Sequence, residues 1–425
     1  MLSFEAAREK VIEIARARRE AGLARRTHEM IDIAREPSAA LGRVLAQEVL
    51  TDRDYPAFNR AIRDGFAVRA ADVGRVPARL RLIGESKAGA AFDGEVHAGE
   101  CVQIMTGAPV PRGADAVLMI EFTKREGEDG IVFERAARAG EHIVATGSEA
   151  HRNETVLLRG SHLGYAELAL AGQVGAVLLQ VYARPRVAIL STGDEVIAAD
   201  GAPGPFEIRN SNSISLSAQC ALSGAEPIQL GNAPDRKAEL SELIERGLNE
   251  DVLVLSGGVS AGKYDLVEDV LRELKAEFFF DAVAIRPGRP AVFGVCRDKL
   301  VFGLPGNPVS TMVTFEILAA PALDILGGAA PRALAFFKAR LKYDIAEKPG
   351  LAHFLPARVA FPSGKESSRA PGDSAVDATV ETVHWQGSGD IVALVNANCY
   401  LVVRENIEKI PAGAWVDVLP RRGVF

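Results

Sequence analysis

In Val252–Asp265, VLVLSGGVSAGKYD, a short apolar run meets two adjacent glycines, and the stretch ends on a carboxylate. Glycine lets a backbone turn sharply and lets a ligand come close. Successive N–H groups in such a turn, with a helix behind them, form a concavity for anions. An ordinary tight strand-to-helix turn accounts for this one loop equally well. Two more loops of the same kind favour an anion or nucleotide site: STGDE at Ser191–Glu195 and LPGNPVS at Leu304–Ser310. In the second, Pro308 suits the first turn of a helix and Asn307 its cap.

Asp194, Glu195, Asp235 and Asp265 each fall just beyond an apolar, strand-like run. Carboxylates gathered beside a phosphate loop repel one another unless a cation lies among them, and Mg2+ also binds phosphate oxygens. Asp265 has a second reading, because its place three residues before Glu268 fits an N-terminal capping box. In AIRPGRP, Arg286 and Arg289 flank a Pro-Gly turn. Two cations on one rigid turn suit a small oxyanion, or form a surface pair. IMTGAPVPRGADAVLMIE reads as strand, Pro-rich turn and strand, with Thr106 and Gly107 available to a ligand that nothing local requires. His142, His151 and His162 match neither helical nor zinc-ligand spacing. Cys101, inside an apolar run, reads as core.

These side chains need a scaffold that brings them to one edge. From Arg184 the pattern is strand, turn, helix, repeated: RVAIL into STGDE, EPIQL into DRKAELSELIERGL, VLVL into DLVEDVLRELKAE, LVFGL into PGNPVSTMVTFEIL. Such alternation predicts right-handed crossovers and a mostly parallel sheet, with ligands beyond the carboxyl ends of the strands. Upstream, residues 1–50 read as helical, residues 51–141 as short strands and turns, and Tyr165–Gly172 as helix again, so a β-rich unit is inserted into a helical one. From residue 328, ARVAF, DIVALVN, CYLVV and AWVDVL read as short strands of a closing β domain.

Composition narrows the class. Hydrophobic residues make up 48% and charged residues 25% of 425, which is ordinary for a soluble globular chain of several domains. The formal charge is −7 and no basic stripe is visible, which speaks against nucleic acid. Four dispersed cysteines without a C-x-x-C suit reduced thiols in a cytoplasmic protein. The first helix lacks a signal peptide's apolar block, and the most apolar long stretch is broken by Glu167 and Gln173, so no membrane span is expected.

STGDE, SGGVSAGKYD, AIRPGRP and GLPGNPVS, in this order, together resemble the molybdopterin molybdenumtransferase family, the MoeA-type proteins related to the C-terminal part of gephyrin. IMTGAPVPRGADAV and RDGFAV resemble that family's inserted domain. The resemblance implies an α/β multidomain chain. It has a discontinuous helical dimerisation domain (1–50 and 142–183), an inserted β domain (51–141), a three-layer α/β molybdopterin-binding domain with a parallel-rich sheet (184–327) and a C-terminal β domain (328–425). It implies an elongated homodimer whose active site is shared between subunits, and transient contact with the molybdopterin adenylyltransferase. The implied reaction inserts molybdate into adenylylated molybdopterin with Mg2+ and releases AMP.

Carried over by motif, Glu195, Asp235 and Asp265 are the active-site acids and metal ligands, joined by Asp64 and Thr106 from the partner's inserted domain. Thr192, Gly193, Asp194, Ser256, Gly257, Gly258, Ser260, Gly262, Pro305, Gly306 and Asn307 bind the pterin substrate. Arg286, Arg289 and Ser310 hold molybdate. Several positions depart from the family pattern. Arg286 and Arg289 stand where it has lysines in KPGKP, and a planar fork is not equivalent to a point charge at an oxyanion site. FNRAIRDGFA replaces FDNSAMDGYA, NSN with Asn210 replaces DSN, and VATGSEA replaces an Arg-rich segment. Pro356 stands where many members carry an arginine. Two alternatives follow: an insertase that prefers tungstate, or a non-catalytic molybdopterin-binding scaffold. A pyrophosphatase of related fold is disfavoured by the inserted and C-terminal domains.

Overall fold

The computed structural model describes residues 1–22, 28–258, 266–362 and 377–424. The chain divides into two compact units, one of Ile31–Leu41 with Gln47–Leu179, the other of Met1–Met30, Gly42–Ala46 and Gln180–Phe425.

Helix α1 (Phe4–Glu20) begins at Ser3, whose hydroxyl accepts the Ala6 N–H at 3.2 Å. Its buried positions Phe4, Ala7, Val11 and Ala15 recur every three or four residues, which is one helical face. The helical expectation for residues 1–50 holds only this far. His28–Asp32 is extended, and Pro37–Ala40 is a single helical turn. Glu36 is driven out of the helical region at φ −132°, ψ 65°, as the residue before a proline is.

The unit containing Gln47–Leu179 is built on a six-stranded sheet. Its strands are β1 (Gly65–Val68), β2 (Ala78–Ser86), β3 (Glu100–Ile104), β4 (Ala116–Met119), β5 (Thr123–Glu126) and β6 (Gly130–Phe133), in the order β4-β1-β3-β2-β6-β5. Side-chain alternation sends Phe66 and Phe133 to one face, edge-to-face at 5.8 Å, and Ala67, Val102 and Val117 to the other. The same unit contains α2 (Tyr165–Gln173).

In the other unit, strand and helix alternate from Arg186. The elements are β7 (Arg186–Thr192), α3 (Ser211–Leu222), β8 (Glu226–Ala233), α4 (Lys237–Gly247), β9 (Val252–Ser256), α5 (Leu266–Glu273), β10 (Glu277–Phe280), β11 (Ile285–Arg286), β12 (Val292–Cys296) and β13 (Lys299–Leu304). The sheet order is β8-β7-β9-β13-β12-β10. The first four strands are parallel, and β12 and β10 add antiparallel. Both faces of the central strands are covered, which explains why β9 and β13 are largely apolar, while the edge strand β8 keeps Glu226, Gln229 and Asn232. Val187, Val254 and Phe302 pack towards α3 on one face, while Ala188, Leu253 and Leu255 pack against α4 and α5 on the other. The three layers are therefore helix, sheet and helix.

LPGNPVSTMVTFEIL becomes α6 (Pro308–Thr314), a π-helical turn at Phe315–Ala319, and α7 (Ala320–Leu326). Pro308–Leu326 is, among the described residues, the one helix long and apolar enough to cross a membrane, and it is buried in the core of its own unit. The last part of the chain supplies β14 (Phe337–Leu341), β15 (Ala352–Ala360), β16 (Thr379–Thr382), α8 (Ile391–Asn396), β17 (Cys399–Val403) and β18 (Trp415–Pro420). Strands run β15-β16-β14-β18-β17, and β17 pairs back with β15, so the five close into a ring without free edges. β11 adds to β15 outside this closure. DIVALVN is a helix, α8, and not the strand its valines suggest. Asp390 accepts the Ala393 N–H at 3.0 Å as N-cap, and Val392 and Val395 point outward.

All four cysteines are buried and unpaired. Burial pushes the thiols of Cys101, Cys220 and Cys399 up to about 12, and raises that of Cys296.

Candidate functional site

Strands β7, β9 and β13 end side by side, and the loops that follow them are hydrogen-bonded together. The Gly193 N–H donates to the carbonyl of Ala233 at the end of β8 (3.2 Å), and the Gly257 N–H donates to that of Leu304 at the end of β13 (3.0 Å). Asn212, in the first turn of α3, donates through Nδ2 to Ser256 Oγ and to the Gly306 carbonyl, both at 2.7 Å. A parallel two-residue pairing of Val196–Ile197 with Ile208–Arg209 carries the chain from β7 to α3.

These loops enclose a cavity of about 390 Å³. Its floor contains Thr192, Ser256, Gly257, Gly258, Pro305, Gly306 and Asn307, all expected from the motifs, together with Glu195. Gly257 and Gly258 have φ of +95° and +63°. A Cβ on either would lie within 2.9 Å of the Thr192 hydroxyl, so the double glycine is required by backbone conformation and by close approach. Thr192 Oγ1 and Asn212 Oδ1 are buried without a hydrogen-bond partner among the described residues. Such groups carry a desolvation cost that a polar ligand would relieve.

Sequence reasoning did not select Asn212, Ile208 or Arg209 as site residues, although all three line the cavity. The signal was RNSNS at the start of a predicted helix, which reads equally as a cap. Asn210 is that cap. It is buried, and its Oδ1 accepts from the Ser213 N–H (3.0 Å) and the Ser191 hydroxyl (3.1 Å). Asn307 does occupy the N-cap position of α6, but its side chain makes no capping bond; its carbonyl accepts from the Thr311 N–H and hydroxyl, each at 3.0 Å.

Of the acids, Glu195 lines the cavity. Asp194 Oδ1 accepts the Asp235 N–H at 3.0 Å. Partial burial raises the Asp235 carboxyl above its ordinary value, and the negative charges of Asp194 and Glu195 raise it further. Neither Asp194 nor Asp235 lines the cavity. Ser260, Gly262 and Asp265 lie outside the described residues. Among the described residues no three His, Cys, Asp or Glu side chains group as a metal site.

Arg286 and Arg289 are exposed on the turn that leaves β11, where the Arg286–Pro287 peptide is cis. The turn lies against α6: a Cβ on Gly288 would meet Thr314 Cγ2 at 2.4 Å and the Ser310 carbonyl at 3.6 Å. Ser310 itself is buried. Arg286 Nη1 is 3.9 Å from Glu347 Oε2, and the same oxygen is 3.1 Å from Nδ1 of the buried His353. Neither arginine nor Ser310 lines the cavity; Pro290, next to Arg289, does.

In the other unit, the antiparallel register of β1 and β3 places Gly65 opposite Ile104. Asp64 and Thr106 therefore emerge at the same end. Asp64 Oδ1 accepts both the Thr106 N–H (2.6 Å) and the Thr106 hydroxyl (2.9 Å). These two bonds, the backbone one first, hold the Asp64 carboxyl below the usual range. His151 approaches Asp54 at 3.8 Å, and nothing among the described residues joins it to the other histidines as a metal site.

Comparison with known proteins accounts for this arrangement. Residues 2–175 match the MoeA N-terminal region (domain I and II), residues 188–325 a probable molybdopterin binding domain, and residues 338–420 the MoeA C-terminal region (domain IV). The molybdopterin molybdenumtransferase of Bacillus subtilis is 31% identical over 89% of this chain and 87% of its own length. That of Staphylococcus aureus is 30% identical over 92% and 90%. The crystal structure of a molybdopterin biosynthesis MoeA protein from Pyrococcus horikoshii superposes with a TM-score of 0.77 at 28% identity, covering 99% of this chain and all of that one. Three consecutive family regions, relatives of matching length and a whole-chain structural match lead to one statement: the chain belongs to the molybdopterin molybdenumtransferase (MoeA) family, transferases of molybdenum cofactor biosynthesis.

Proposed function

We propose that this transferase inserts molybdenum from molybdate into adenylylated molybdopterin and releases AMP in a Mg2+-dependent reaction. The observation that carries the reading is the cavity at the ends of β7, β9 and β13, lined by the Gly257–Gly258 turn and by the polar residues Thr192, Asn212 and Ser256. A ligand rich in phosphate and polar ring edges satisfies such groups, and the strand-end position is where open α/β sheets take ligands. Thr192, Gly193, Asp194, Ser256, Gly257, Gly258, Pro305, Gly306 and Asn307 bind the adenylylated pterin in this reading, and Ser260 and Gly262 are assigned to the same role by motif alone.

Asp194, Glu195 and Asp235 are close enough for their charges to interact. Partial burial raises the Asp235 carboxyl above its ordinary value, and Asp194 and Glu195 add a repulsion that a cation would relieve. Glu195, Asp235 and Asp265 would hold Mg2+, which when bound supplies charge neutralisation at the phosphate oxygens and a better AMP leaving group. The chain's own part is positional. Arg286 and Arg289 bring two positive forks to a turn against the Ser310 helix and offer charge-assisted donors to molybdate. Asp64, already fixed by Thr106, contributes from the partner subunit of a homodimer. The four-domain division at residues 50, 141, 183 and 327, and a cytoplasmic location where the adenylyltransferase hands over its product, belong to the same reading.

The test is AMP release from adenylylated molybdopterin with Mg2+, with molybdate or tungstate added separately and metal on the pterin assayed. Oxyanion-dependent release with metal incorporation supports the insertase. Faster turnover with tungstate assigns the two arginines to that oxyanion. Tight pterin binding without release under either condition would replace the reaction with a scaffold role.

A further inference from the structure

A second cavity, of about 240 Å³, lies in the same unit between α1, the π-helical turn and the end of β18. Arg8, Arg332, Arg421 and Arg422 line it, with Glu316. Nothing in the reaction proposed above uses it.

The arginine side chains are fixed. Arg8 donates from Nη1 to the Ile317 carbonyl (2.8 Å) and from Nη2 to that of Arg332. Arg421 donates from Nη1 alone to the carbonyls of Leu394 and Ala397. Arg422 Nε lies 3.1 Å from Glu316 Oε1, and its Nη1 donates to Ser223 Oγ at 2.7 Å. Arg332 Nη2 lies 3.1 Å from Asp324, which is buried. Four guanidiniums thus meet two carboxylates. Arg8 and Arg421 hydrogen-bond only carbonyl oxygens among the described residues, so two positive charges are left without a carboxylate of their own. Burial lowers the Arg8 guanidinium from its ordinary value and Arg422 adds to this, while Asp324 and Glu316 pull the other way. Each fork is used only in part: Nε and Nη2 of Arg421, Nη2 of Arg422 and Nη1 of Arg332 donate no hydrogen bond within the described residues. Orientation by backbone carbonyls removes most of the entropy that a flexible arginine loses on binding.

We propose that this cavity binds a small dianionic phosphate group. Planar forks in fixed positions match a tetrahedral oxyanion, and its charge equals the excess left by the arginines. One wall is apolar, made by Pro321, Leu334 and Leu419, which favours a phosphomonoester with a compact organic part over inorganic phosphate. Glu316 is the built-in competitor, because its carboxylate already occupies one face of Arg422. The π-helical turn that carries Glu316 continues directly from α6, so an occupant here touches the helix whose first residues line the strand-end cavity.

The test is a 31P NMR titration of the full chain at pH 8 with inorganic phosphate and, separately, glycerol 2-phosphate, comparing wild type, Arg8→Gln and Glu316→Gln. Binding should weaken about fivefold in Arg8→Gln and tighten by a similar factor in Glu316→Gln. Glycerol 2-phosphate should bind the more tightly, and equal affinity would assign the site to free phosphate. Misfolding cannot produce the tightening in Glu316→Gln, so that variant decides the matter if Arg8→Gln is unstable. Phosphate held in the strand-end cavity would respond to neither change. Indifference of all three proteins, or weaker binding in Glu316→Gln, overturns the proposal.

Discussion

Gly257 is the residue on which the strand-end cavity depends most directly. An added methyl would sit at φ +95° and 2.8 Å from the Thr192 carbonyl. Gly257→Ala is expected to cost about 1–3 kcal/mol in urea denaturation and to abolish pterin binding, because relief of the clash moves the cavity floor. Asp235 tests the acids. Its carboxyl is raised by burial and then by Asp194 and Glu195, so the folded chain holds that proton more tightly than the unfolded one. Stability from this group is therefore lost as pH rises from the ordinary aspartate value through the folded one. Asp235→Asn should raise the melting midpoint by about 1 °C at pH 7, a small gain because the group is near solvent, and leave it unchanged at pH 3. Scanning calorimetry at the two pH values reads this, and a lower midpoint at pH 7 would refute the repulsion.

At the scale of elements, α3 connects the loops through its first turn, and Asn210 and Asn212 are the connection. Asn210→Ala removes the cap and leaves the Ser213 N–H and Ser191 hydroxyl without an acceptor, at an expected cost of about 1–3 kcal/mol by denaturant titration. The alternation from Arg186 onward was readable because its central strands are largely apolar and the loops after them carry Gly, Pro, Asp or Asn. Apolar strands and turn chemistry are local signals. Other elements were not readable for equally physical reasons. Val392 and Val395 favour a strand, yet one hydrogen bond, donated by the Ala393 N–H to the Asp390 carboxylate, commits the segment to helix. His28–Asp32 carries charge and methionine like a helix, and long-range pairing, which no window contains, makes it extended. Asn212 escaped selection because its two bonds reach residues 44 and 94 positions away.

At the scale of the whole molecule, residues more than a hundred positions apart converge because parallel strands deliver their loops to one edge. The order of motifs therefore carried the architecture, while individual contacts of Arg286 with the closed β ring did not show in it. Glu347, from the segment between β14 and β15, approaches Arg286 at 3.9 Å and supplies part of the negative charge that molybdate would otherwise bring. Glu347→Gln keeps the shape beside His353 and removes that charge. On the reading that Arg286 receives the oxyanion, molybdate affinity should rise about two- to fivefold by calorimetric titration, and no change would place the oxyanion elsewhere.

The cysteines described above carry a practical consequence. All four are buried, and three have thiols pushed up to about 12, so at neutral pH almost no thiolate is present to attack an alkylating reagent. A single cysteine introduced on the surface would then be the fast-labelling position of an otherwise native chain. Maleimide dyes could be placed in each of the two units in turn, and the distance between them followed by fluorescence transfer while substrate is added, without first rebuilding the interior to remove its sulfur.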